Sequence, residues 1–133
     1  MAYLVGVILA LSVGLFASFI GLDRDKAFYP SVMIVIASYF ALFAVMGVSL
    51  HVLALECMVI IAFIAISVIG FRGSLVLVVA GLAAHGVFDL VHSKLITNPG
   101  VPVWWPTFCL AYDVTAAAYL TSLLWHFRNR EAT

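Results

Sequence analysis

Most of the charge in this chain falls in a few short breaks, and the stretches between them read as membrane-spanning helices. Residues 1–22 carry no charge, Asp23-Arg24-Asp25-Lys26 forms a tight cluster, and no further charge appears until Glu56. Twenty-two helical residues reach about 33 Å, enough to cross the hydrocarbon core of a bilayer. Composition excludes a water-soluble alternative. Hydrophobic residues make up 66% of the 133 residues and charged residues 9%, against about 45–50% and 25% in soluble domains. A small domain keeps too much surface to hide two-thirds of its residues from water. Basic and acidic residues number six each, so there is no basic footprint for nucleic acid. Two cysteines, Cys57 and Cys109, make no disulfide framework.

The sequence therefore predicts an all-α bundle of five transmembrane helices, a single domain over residues 1–133, with spans near 2–22, 28–48, 52–71, 74–95 and 104–126. The first span is read as a retained helix and not a signal peptide, since it has no basic leading segment and no convincing cleavage site. Residues 27–71 are too long for one crossing and too short for three. Two spans fit, joined by a tight turn around Gly47-Val48-Ser49-Leu50-His51. Arg72-Gly73 breaks the chain again, and Thr97-Asn98-Pro99-Gly100-Val101-Pro102 carries strong turn chemistry. Trp104-Trp105-Pro106 opens the last span: the tryptophans suit the headgroup level, and proline costs nothing in the first helical turn.

Five crossings place Arg24, Lys26, Arg72, Arg128 and Arg130 on one side and Lys94 on the other. By the positive-inside rule the N-terminus lies outside and the C-terminus in the cytoplasm, and a bacterial cytoplasmic (inner) membrane is expected. Membrane lipid is then the obligatory partner. Other membrane subunits or a second copy are further candidates.

Three carboxylates remain inside the spans: Glu56, Asp89 and Asp113. No lysine or arginine lies at comparable depth, and a lone intramembrane carboxylate costs roughly 2.5–3.5 kcal/mol on insertion scales. Each must be protonated, hydrated, paired with histidinium or bound to a metal cation. The fourth span reads Ala84-His85-Gly86-Val87-Phe88-Asp89-Leu90-Val91-His92. The spacing i, i+4, i+7 confines His85, Asp89 and His92 to an arc of about 60°, facing the bundle interior. Gly81 and Gly86 thin this helix for close approach of a neighbour. At 1.5 Å per residue, His92 lies about 5 Å below the outer end, Asp89 about 9 Å and His85 about 15 Å. By the same arithmetic Asp113 lies about 14 Å below Trp104 and Glu56 about 6 Å below the outer turn, where His51 sits. Six polar groups thus converge on the outer half of the bundle.

Imidazoles and carboxylates on facing helices form a ligand set for zinc or iron, and a bound metal with one open position would acidify a water. His85, Asp89, His92 and Asp113 are the candidate ligands, with Glu56 a further ligand or the catalytic general base. The expected function is an outward-half metal site, catalytic on a lipid-soluble substrate. Two other readings stay open: a proton or ion path through the same residues, and polar contacts that hold helices together in an accessory subunit of a larger complex. A disulfide or soft metal ligation by Cys57 and Cys109 is a further possibility, beside the plainer reading of two small buried thiols. The loop Lys94–Trp105 hangs over the cluster, stiffened by prolines 99, 102 and 106, and could act as a fixed cap or gate.

The runs DRDKAFYPSVMIVIASYFALFAVMG and AAHGVFDLVHSKLITNPGVPVWWPTFCLAYDV resemble a family of small multi-pass bacterial integral membrane proteins of unassigned function. That resemblance implies a membrane bundle and brings no activity. The His/Asp pattern is similar, more distantly, to membrane-embedded zinc hydrolases related to alkaline ceramidases and progestin/adiponectin-type receptors. Those have seven spans and an HxxxH pair in the last helix. Here the pattern is His85-xxx-Asp89-xx-His92 on the fourth of five, and no catalytic residue is carried over.

Overall fold

The structure is a computed structural model that describes residues 1–131 and side chains as far as Asn129. Five helices, α1 (Ala2–Ile20), α2 (Phe28–Met46), α3 (Leu50–Arg72), α4 (Leu75–Leu95) and α5 (Trp105–Glu131), follow one another, with a short 3-10 turn at Leu22–Arg24. Each is long and apolar enough to cross a membrane.

The boundaries shift from the sequence expectation for local reasons. Gly21 adopts a left-handed conformation (φ 79°) and its N–H bonds the Ala17 and Ser18 carbonyls, closing α1 before Leu22. Helix α2 stops at Met46, and the chain reverses through Gly47 and Val48, the latter at φ 53°. Ser49 then caps α3 by accepting from the Val52 N–H. Leu50 and His51 therefore belong to the helix and not to the turn. Ser74 caps α4 in the same way through the Val76 N–H. Helix α5 continues past His126 to Glu131, because nothing in His126–Glu131 is a helix breaker.

Helix α4 packs on α3 and α5, α1 packs on α5, and α2 packs on α3. Small residues decide how closely. Gly6, Ala10, Gly14 and Ala17 form the buried stripe of α1, and a Cβ at Gly6 would run into the Phe108 carbonyl of α5. On α4, a Cβ at Gly81 would meet Ile66 and the Met33 sulfur at 2.8 Å, and one at Gly86 would lie 3.3 Å from the Asp113 Cβ. These two glycines let α4 sit against its neighbours where His85 and Asp113 must meet.

Polarity is inverted relative to a water-soluble domain. Phe16, Phe19, Ile61, Val87 and Leu95 face outward, while Glu56, Ser67, His85, Asp89, His92, Asn98 and Asp113 are buried. The described helices are thus built for lipid contact. The 96–104 loop closes one end of the bundle: the Gly100 backbone lies against Phe43 and Gly47, with no room for a Cβ beside the Phe43 carbonyl. At the other end, Arg24 and Lys26 share a pocket with Leu75 and Phe127. Arg72 ends α3 beside the α3–α4 turn, and Arg128 lies in the last turns of α5. The basic residues segregate by end as expected; the Arg130 side chain lies outside the described part.

Candidate functional site

The deep part of the site forms where α4 crosses α5. Along α4, His85 lies ten residues from either end and about 15 Å from both. Asp113, eight residues into α5, comes in about 12 Å from its start, level with His85 across the close approach at Gly86. His85 Nδ1 lies 2.7 Å from Asp113 Oδ2 and 3.5 Å from Asp89 Oδ2, one turn along α4. Each of these three residues offers a ligand atom, and those atoms lie within 4.8 Å of one another. All three residues are at most 1% exposed. Both oxygens of Asp89, and Oδ1 of Asp113, lack a hydrogen-bond partner.

A second pair lies nearer the capped end. His92 Nε2 is 2.8 Å from Glu56 Oε1, and Asn98 Nδ2 donates to the same oxygen at 2.9 Å. The Asn98 carboxamide is fixed from both sides. Its Oδ1 accepts from the Gly100 N–H at 3.1 Å, and its Nδ2 also reaches the Phe40 carbonyl at 3.2 Å. The loop thereby inserts a carboxamide between solvent and the Glu56 carboxylate, whose Oε2 stays buried and unpartnered. Both imidazoles are boxed by aromatic rings. Phe40 stacks on His92 with centroids 4.1 Å apart, and Phe63 meets His85 edge-on at 4.7 Å. Such packing fixes ring orientation and excludes water.

Charge does not balance within the cluster. Three carboxylates face two imidazoles; Asp113 and Glu56 are each hydrogen-bonded to one. Asp89 has only the 3.5 Å approach to His85, a nitrogen already engaged by Asp113. An unpartnered buried carboxylate is among the most costly groups a bundle can carry. Asp89 therefore calls for one more cation or proton.

Of the residues singled out from sequence, His85, Asp89 and Asp113 come together. His92 and Glu56 form their own pair on the same side, and with α3 starting at Leu50, Glu56 lies about 9 Å from its end and not 6 Å. His51 does not join: it is exposed on the first turn of α3. Cys57 is exposed and Cys109 buried, and both are free thiols. The disulfide is therefore excluded, and the reading of a buried thiol holds for Cys109 alone. Asn98 is a site residue that sequence reasoning does not single out. Its signal is present all the same: an Asn before Pro favours an extended backbone with a side-chain turn, and this one sits in the loop above the acids.

The chain is a multi-pass helical membrane protein with a buried His85/Asp89/Asp113 group that could hold a metal ion. No protein-family model, curated protein or solved structure matches it, so the resemblance noted in two of its runs assigns it to no family.

Proposed function

We propose that His85, Asp89 and Asp113 hold one divalent transition-metal ion, zinc or iron, and that the bundle uses it on a lipid-soluble substrate in a bacterial cytoplasmic membrane. The observation that carries this reading is Asp89, buried with neither oxygen satisfied beside two further ligand atoms. One imidazole and two carboxylates suit zinc or iron. Tetrahedral ligands at 2.0–2.1 Å stand about 3.3 Å apart. His85 and Asp113 would have to separate by about 0.6 Å from 2.7 Å. Three protein ligands would leave an open position, and the ion would supply acidification of a water there. Glu56 is then the general base and His92 its hydrogen-bond partner, outside the group of converging ligand atoms.

One observation favours a second reading. The 2.7 Å His85–Asp113 contact is already a good hydrogen bond, as in a metal-free proton path running from Glu56/His92 to Asp89, His85 and Asp113.

Titration of metal-stripped protein with Zn²⁺ and Fe²⁺ tests the proposal. Wild type should bind one ion per chain, and Asp113→Asn should bind at least about tenfold more weakly, a loss of about 1.4 kcal/mol. Unchanged affinity in Asp113→Asn, or no saturable binding by wild type, would overturn it.

A further inference from the structure

At the opposite end of the bundle from the Asn98 loop, a pocket of about 310 Å³ lies between the α1–α2 connection and the last turns of α5. Asp23, Arg24 and Lys26 line it together with Leu75, Leu123 and Phe127. The acids nearby accept hydrogen bonds from neutral donors and keep their charge. Asp23 Oδ2 accepts from the Ser18 hydroxyl at 2.6 Å, and Asp25 Oδ1 accepts from the Ala27 N–H at 2.9 Å. Among the described residues the ion pairs are all made by histidines, so no described carboxylate lies within 4.0 Å of Arg24 or Lys26. Two cations and one carboxylate, an excess of one positive charge, therefore border an apolar floor, at the level where a bilayer's headgroups meet its chains.

We propose that this pocket binds one anionic phospholipid. Arg24 and Lys26 would take the phosphate, and Leu123 and Phe127 would take the first part of an acyl chain. A zwitterionic headgroup fits less well, since it brings no net negative charge to a pocket whose own excess is positive. The volume is at the lower end of ligand pockets, roughly 300–1,000 Å³, in keeping with a headgroup and a short length of chain, not a whole lipid. The site is independent of the metal centre, from which it is separated by half the length of α5.

The full chain is reconstituted in vesicles of equal parts phosphatidylcholine and phosphatidylglycerol, extracted in mild detergent, and its retained lipid counted by native mass spectrometry. One phosphatidylglycerol per chain should be retained in preference to phosphatidylcholine. Lys26→Gln should lower that occupancy about fivefold, the effect of removing one basic residue facing an anionic lipid. Arg128→Gln removes the same charge near the same end but from a neighbouring depression lined by Ser74 and Trp125, and should leave retention unchanged. Equal retention of the two lipids by wild type would overturn the site, and so would equal losses in Lys26→Gln and Arg128→Gln. Displacement of the lipid by inorganic phosphate would also contradict it, because the apolar floor would then contribute nothing.

Discussion

Replacing Asp89 by Asn should invert the stability order of this protein with and without metal. Asparagine keeps the shape of the side chain and removes its charge. In chelator, wild type must bury an acid that has no hydrogen-bond partner, at a cost on the order of 2.5–3.5 kcal/mol if it stays ionised. Asn is still polar and still poorly satisfied, so roughly half of that should be recovered, and Asp89→Asn should unfold a few degrees higher than wild type. With metal at 100 times its dissociation constant, wild type gains about 2.7 kcal/mol by mass action. Asp89→Asn, short of one ligand, should gain little, and the order reverses. Thermal unfolding in detergent, with chelator and with Zn²⁺ or Fe²⁺, reads both halves. Destabilisation of Asp89→Asn in chelator, together with no metal response in wild type, would refute the metal reading. Asp89 would then be a neutral helix–helix contact.

Asn98→Ala should cost about 1–3 kcal/mol by removing a donor from a buried carboxylate. It should also speed hydrogen exchange at Gly100 and its neighbours, whereas unchanged exchange would mean that the loop is not held through Glu56. For orientation, single cysteines are introduced after replacing Cys57 and Cys109 by Ala. One within residues 97–103 should react with an impermeant thiol reagent in intact cells and one at the C-terminus should not; the reverse pattern would invert the bundle.

The five helices are legible in the sequence because lipid imposes a simple rule: each crossing needs about 20 apolar residues, and charge or turn residues mark the breaks. Their ends are less legible. The stop at Gly21 and the start at Leu50 depend on a left-handed residue and a serine cap, which hydropathy does not register. Helical spacing puts His85, Asp89 and His92 on one face, and depth matches Asp113 to His85. Depth and face cannot say that His92 turns to Glu56 while His85 turns to Asp113. That division follows from rotamers set by Phe40 and Phe63, and from where α3 and α5 lie around α4. Asn98 is hardest to see, because an asparagine in a proline-rich loop usually serves the turn alone. Here Gly100 does more than turn the chain. Its bare backbone lets the loop sit on Phe43 and Gly47, and that brings the Asn98 amide to Glu56.

The central claim, that the deep cluster is a metal site, is tested most directly by elemental analysis of chain produced without an affinity-tag histidine and purified without added metal. About one zinc or iron per chain is expected in wild type, falling close to zero in His85→Ala and Asp89→Asn with helix content preserved. Metal-free wild type that is fully folded, or wild-type metal retained in full by both variants, would contradict it.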